Sequence, residues 1–295
     1  MNQTSALMAI GREVGQAHEL RKPILEKLKE LREGRAILSF FISFHSQVPL
    51  LQSDADMIEE VLCNTDTSKG LTLILDAPGG DGLAAERIIR ACRSYTKKDF
   101  ETIVPARAKS AATMVCLGSD RILMGRTSEL GPIDPQVPMK LHGDRMEWVA
   151  AHYVVKTYDD LLFKAVQLQE GHIEPYLQQL SKFSAINIEQ LRAAQKLSES
   201  IAVNSLKNGM LKDKTPEQIQ QRIKKFTDPE ITMSHGRAVT ISDCNDCGLN
   251  VQEIAPDCDL WKTVWHLYMR SKYVVDSTGV SKSLDTCENN FTVPA

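Results

Sequence analysis

Two loops in the sequence hold groups that could do chemistry together. Asp76-Ala-Pro-Gly-Gly80 and Ala106-Arg-Ala-Lys-Ser110 each follow a short apolar run, and the second continues into Ala111-Ala-Thr-Met114, so that Ser110 and Thr113 flank the start of a helix. A Gly-Gly pair lets the backbone approach a ligand without a Cβ, so its N–H groups can point at an oxygen. The first N–H groups of a helix are unpaired as well and carry the positive end of its dipole. The two loops could therefore build an oxyanion hole with Ser110 at its rim. Pattern alone leaves a plainer reading open, because Pro-Gly-Gly is a common turn and a Ser ahead of an Ala-rich helix is a common N-cap.

The surrounding elements decide whether these loops meet. Buried strands are expected at 35–44, 71–75, 101–105 and 121–124, with helices at 54–63, 83–94 and 110–117 between them. Strand and helix alternating at short intervals argue a largely parallel sheet with helices on its faces, in which loops at the carboxyl ends of the strands line the crevice. After Gly131-Pro-Ile-Asp-Pro135 the pattern changes. A small hairpin at 139–141 and 145–149 turns at His142-Gly-Asp144, and residues 150–170, 187–208 and 215–225 read as helices. A helix near 242–247 ends at Gly248, a short strand follows at 249–251, and a helix spans about 257–271. Upstream, Leu7, Ile10, Val14, His18, Leu20, Ile24, Leu28 and Leu31 recur at helical spacing, which gives an amphipathic N-terminal arm. From Asp276 onward Ser, Thr, Asn and Asp dominate, the composition of a mobile tail.

Composition narrows the function classes. With 295 residues, 42% hydrophobic and 25% charged, the chain can bury a full core. Its net charge of -3, with Lys and Arg scattered, argues against a nucleic-acid partner. The longest apolar run, Ala36 to Phe44, is far shorter than the ~20 residues of a membrane span, so a cytoplasmic chain is expected. Seven cysteines at irregular spacing point to reduced thiols, and Cys244-Asn-Asp-Cys247 lacks the second ligand pair of a zinc site even with Cys258 and His235 nearby.

The run Leu73-Ile-Leu-Asp-Ala-Pro-Gly-Gly-Asp-Gly-Leu-Ala-Ala-Glu-Arg-Ile88, followed by Ala108-Lys-Ser-Ala-Ala-Thr-Met114 and Ser128-Glu-Leu-Gly-Pro-Ile-Asp-Pro135, resembles the Clp-fold serine proteases. It looks closest to the serine dehydrogenase proteinase family, with more distant similarity to signal peptide peptidase A and the Clp proteolytic subunit, and it covers roughly residues 35–255. The resemblance implies an α/β ClpP/crotonase-like fold, and with the pattern read above the expected organisation is a helical arm over 1–34, a protease-like domain over 35–275 and a flexible tail over 276–295. It also implies self-association and a serine peptidase acting on a peptide or protein, with no metal or nucleotide cofactor. By position, Gly80 and Ala111 would donate the oxyanion N–H groups. Alignment with signal peptide peptidases nominates Ser110 as nucleophile, whereas the Clp subunit's pattern would nominate Thr113; Ser110 is preferred because a helix-start residue faces the crevice.

The pattern offers more than one candidate for the base. Asp134 stands where the Clp subunit supplies a His, and it could equally be a turn residue. Signal peptide peptidases imply a Lys from a later helix, here Lys156 ahead of Lys164, while the serine dehydrogenase proteinase order of Ser, Asp and His implies Asp134 with His235 in Ser234-His-Gly-Arg-Ala-Val-Thr-Ile241. Lys156 is favoured slightly over His235, since a buried Lys can lose its proton near neutral pH and the distant His needs the fold to return it. The plain alternatives are a solvated Lys156 and a capping His235; His142 and His152 rank below both. Two further readings remain: a catalytically inactive scaffold or peptide-binding module, and a crotonase-like acyl-thioester enzyme, which the Ser in the loop disfavours. The chain has no GxxxxGK[ST] run, so energy-dependent unfolding would need a separate ATPase or regulatory partner.

Overall fold

Side chains of β1 (Ala36–Ile42) alternate between two cores. Leu38, Phe40 and Ile42 enter one, Ile37 and Phe41 the other, as the twofold period of a strand buried on both faces requires. The computed structural model describes residues 18–46, 48–140, 145–169 and 171–295. β1 leads into a parallel set with β2 (Leu71–Asp76), β3 (Phe100–Val104), β5 (Arg121–Met124) and β9 (Val251–Glu253), in that spatial order. The protein is thus a mixed α/β fold with a mainly parallel central sheet flanked by helices, consistent with a ClpP-like architecture.

One face of the sheet is covered by α2 (Gln52–Cys63), α3 (Gly82–Tyr95), α4 (Ala111–Leu117) and the second half of α7 (Ala185–Lys207). The other is covered by α1 (His18–Leu31), through Ile24, Leu25 and Leu28, and by α12 (Asp259–Ser277), through Val264, Leu267 and Val275. The arm expected over 1–34 therefore packs on the sheet from His18 onward, while Leu7, Ile10 and Val14 lie outside the described residues. The hairpin expected near 139–149 forms as β7 (Gln136–Lys140) against β8 (Met146–Ala150), with His142 outside the described residues. It feeds α5 (Ala151–Gln167) and α6 (Glu174–Leu180).

The mobile tail expected over 276–295 is corrected by the structure. α12 runs through Ser277, and β10 (Val280–Asp285) adds antiparallel to β1, with β11 (Asn290–Pro294) outside it. Polar composition misleads here because each polar group of β10 is buried with a partner. Ser281 Oγ donates to the Pro294 carbonyl at 2.9 Å, Ser283 Oγ to Asp285 at 2.9 Å, and Lys282 Nζ to Asp54 at 2.6 Å. Asp285 in turn receives Arg21 at 2.8 Å and Asn290 at 2.8 Å. Burial would raise its carboxyl, but the His18 hydrogen bond and the Arg21 charge hold it below its ordinary value.

All seven cysteines are free thiols. Burial pushes Cys92 and Cys116 up to about 12 and Cys247 up to about 11, the behaviour of packed thiols rather than nucleophiles. Among the described residues, no group of three or more His, Cys, Asp or Glu could hold a metal ion, and no helix is long and apolar enough to cross a membrane.

Candidate active site

The two glycine- and serine-bearing loops are held side by side by a short ladder. Asp76 Oδ1 accepts the Arg107 N–H at 2.7 Å, Ala77 N–H donates to the Arg107 carbonyl at 3.0 Å, and Lys109 N–H donates to the Ala77 carbonyl at 3.0 Å. β4 (Arg107–Ala108) thereby continues beside the end of β2 and lays Ser110 against Gly79. Burial pushes the Asp76 carboxyl up to about 7. A Cβ on Gly79 would sit 2.6 Å from the Cβ of Ser110 and 2.7 Å from the Lys109 carbonyl, and Gly79 has φ 105°, so only glycine fits this approach.

Gly80 lies on the backbone of Leu50. Leu50 N–H donates to the Gly79 carbonyl at 2.7 Å and the Leu50 carbonyl accepts from Asp81 N–H at 2.9 Å. In such a parallel bridge the N–H of the middle residue, Gly80, faces away from Leu50. Ala111 opens α4, where an N–H has no partner within the helix.

Ser110 is not the N-cap that its position suggests. Its side chain makes no capping hydrogen bond, and its backbone has φ 50° and ψ −120°. A non-glycine residue held at positive φ costs about 1–3 kcal/mol and persists only where its surroundings impose it. Thr113 behaves differently. It is fully buried, its Oγ1 donates to the Ala108 carbonyl at 2.7 Å and accepts the Gly131 N–H at 3.0 Å, so its hydroxyl ties α4 to the loop beyond β6 (Glu129–Leu130).

Asp134 and His235 meet across 101 residues of sequence, with Asp134 Oδ1 2.8 Å from His235 Nδ1. The chain returns through α9 (Lys224–Thr227) and α10 (Pro229–Thr232), then reverses at Met233, whose φ of 60° is left-handed. Reciprocal hydrogen bonds of 3.0 Å between Leu130 and Val239 dock that segment beside the Gly131–Asp134 loop. Asp134 is 5% exposed, and its second oxygen accepts Gln136 Nε2 at 2.5 Å. Because a carboxylate only accepts, the contact puts the imidazole proton on Nδ1 and leaves Nε2 with its lone pair.

Ser110, Gly79, Gly80, Asp134 and His235 line one cleft of about 1140 Å³. Its walls include Phe44, Leu51, Trp148 from β8 and Met233. Lys156 and Lys164, both on α5, are not among the lining residues. Lys156 is half exposed and ion-paired with Glu230, and that hydrogen bond raises its pKa, the opposite of what a neutral base requires. His152 Nε2 lies 3.4 Å from the same Glu230, outside the cleft. Lys109, beside the nucleophile candidate, is paired with Glu129 at 2.7 Å. Gly79 and Gln136 carried no individual role from sequence. Gly79's signal was its place as first of the glycine pair, whereas Gln136 had none beyond its distance of two residues from Asp134.

Comparison with known proteins bears on this geometry. Residues 21–166 match the ClpP-like SDH-type serine proteinase family. The matched stretch contains Gly79, Gly80, Ser110, Ala111 and Asp134, while His235 lies beyond it. The chain is 26% identical over 207 residues to the uncharacterized protein MJ0137 of Methanocaldococcus jannaschii, covering 69% of this chain and 61% of that protein. A second uncharacterized protein of the same organism, MJ1495, is 32% identical over 84 residues, 28% of each chain. This chain therefore spans under two thirds of the length of either relative.

Proposed function

We propose that the chain is a serine hydrolase that cleaves peptide bonds, with Ser110 as nucleophile, His235 as general base, Asp134 as its orienting carboxylate, and the Gly80 and Ala111 N–H groups as oxyanion donors. The observation that carries this reading is the 2.8 Å Asp134–His235 contact inside the cleft that Ser110 lines. His235 thus takes the role that sequence alone leaned toward giving Lys156.

As a substrate carbonyl enters between Gly80 and Ala111, His235 Nε2 takes the Ser110 hydroxyl proton and Oγ bonds to the carbonyl carbon, whose π electrons move to oxygen. Two N–H groups stabilise that oxyanion. When the tetrahedral species collapses, the C–N bond breaks and the imidazolium returns its proton to the leaving amine. Water then repeats the sequence on the acyl-enzyme, losing a proton to His235 and releasing Ser110. Asp134 holds the tautomer and offsets the imidazolium charge throughout. A cleft larger than the ~300–1,000 Å³ of small-molecule pockets, with apolar walls, suits several residues of a peptide.

A fluorophosphonate should label the wild-type protein, and mass spectrometry should map the adduct to the peptide containing Ser110. Intact, assembled protein that is never labelled and turns over no peptide or ester would overturn the reading in favour of an inactive scaffold.

Self-association belongs to the same reading. Phe163, Val166, Leu177 and Ile186 on α5 to α7 are exposed apolar side chains that a second copy would cover. Light scattering at micromolar concentration should give a mass above 32.9 kDa; a fully active monomer would contradict it.

A further inference from the structure

We propose that Lys282, on β10, is a positioning residue for the oxyanion turn. This rests on the reading of Ser110 as nucleophile. Lys282 is 1% exposed, and its ammonium reaches beneath the cleft wall. It donates to the Pro49 carbonyl at 2.8 Å and to Asp54 Oδ2 at 2.6 Å. The same Asp54 oxygen accepts the Leu51 N–H at 2.7 Å. One buried ion pair therefore fixes the residues on both sides of Leu50.

Leu50 is the backbone on which Gly80 rests. Its N–H and carbonyl are the groups that take the Gly79 carbonyl and the Asp81 N–H, at 2.7 and 2.9 Å. The path from Lys282 to the oxyanion donor is thus a series of hydrogen bonds: ammonium to Pro49 and Asp54, Asp54 to Leu51, Leu50 to Gly79 and Asp81. Neither Lys282 nor Asp54 is among the residues that line the cleft. The output of the path is the placement of the Gly80 N–H relative to Ser110.

Physical chemistry separates this role from plain stabilisation. A buried ion pair gains about as much from attraction as it loses in desolvation, so replacing both partners with neutral groups is often tolerated. Removing one partner alone strands a buried charge and destabilises the fold. The informative variant is accordingly the double Lys282→Met, Asp54→Asn. It removes both charges, while the amide introduced on α2 keeps an oxygen for the Leu51 N–H. What it loses is the donor to Pro49 and the rigid link to β10.

The test measures fluorophosphonate inactivation together with hydrogen exchange. In the double variant, kinact should fall about tenfold to a hundredfold, the scale of loss when a reacting geometry shifts by up to an ångström. KI should change less than kinact, because most of the lining, Trp148, Met233 and His235 included, lies outside the 48–51 segment. Exchange should quicken in peptides covering 48–51 and 79–83 and stay unchanged in β2 and β3. A wild-type kinact overturns the proposal whatever the exchange does. So does a fall in kinact accompanied by faster exchange across the whole sheet, which would mark general loosening. Absence of labelling in the wild type would remove the Ser110 reading first, and unchanged exchange at 48–51 would then overturn the linkage separately.

Discussion

Ser110→Ala should leave the protein unlabelled at fluorophosphonate concentrations that saturate the wild type, while Thr113→Ala should retain labelling. The two hydroxyls differ in what they are bonded to. Ser110 lines the cleft and makes no capping bond, so its lone pairs and proton are available. Thr113 is spent on the Ala108 carbonyl and the Gly131 N–H, inside α4 and away from solvent. Removing it leaves a buried N–H unpaired, which costs about 1–3 kcal/mol. Thermal unfolding of Thr113→Ala should therefore begin at lower temperature although the serine still reacts. Gel fluorescence after labelling reads the first effect and calorimetry the second. Persistent labelling of Ser110→Ala, or its loss in a folded Thr113→Ala, would exchange the roles of the two residues.

His235→Ala should lower the acylation rate by about 10²–10⁴-fold, the range for loss of a general base, whereas Lys156→Ala should leave it within about twofold. The imidazole lies in the cleft with its Nδ1 against Asp134, so its Nε2 is the free basic atom. Lys156 is held by Glu230 on the outer side of α5, and that contact favours its charged form at neutral pH. Asp134→Asn provides the matching control, because an amide facing Nδ1 can present its N–H and reverse the tautomer. Its acylation rate should fall with that of His235→Ala. Stopped-flow or quenched labelling at one pH suffices for all three, and a large loss in Lys156→Ala alone would return the base to α5.

The parallel half of the sheet was legible because most of its strands are short runs rich in apolar residues set between helical stretches, as Leu71 to Asp76 before Pro78-Gly79-Gly80 illustrates. Neighbouring strands then bring their loops together without further information. β10 was illegible for the opposite reason: Val280-Ser-Lys-Ser-Leu-Asp285 reads as solvated, yet its polar atoms find buried partners on β11, α2 and α1 that no local pattern announces. The site divides in the same way. Ser110, Gly80 and Asp134 sit on loops whose positions follow from strand order. His235 depends on a left-handed residue at Met233 and on the Leu130–Val239 pairing, both set by tertiary structure. Lys156 looked favourable because its helix matches the region that supplies a Lys in signal peptide peptidases, but its partner, Glu230, comes from α10.

The antiparallel seam between β1 and β10 joins residues as far apart as Ser39 and Asp285, 246 positions along the chain. Contacts of that separation carry a larger loop-closure cost than local ones, and residues 280–285 are translated after every other strand of the sheet except β11. A nascent chain can therefore assemble β1, β2, β3 and β5 while one margin of β1 stays open. Only when residues 280–285 emerge does that margin close and does Lys282 arrive beneath Pro49. Order of synthesis thus separates the parts of the site: the nucleophile loop is made early, and the last strap across the wall of its cleft comes from a stretch translated long afterwards.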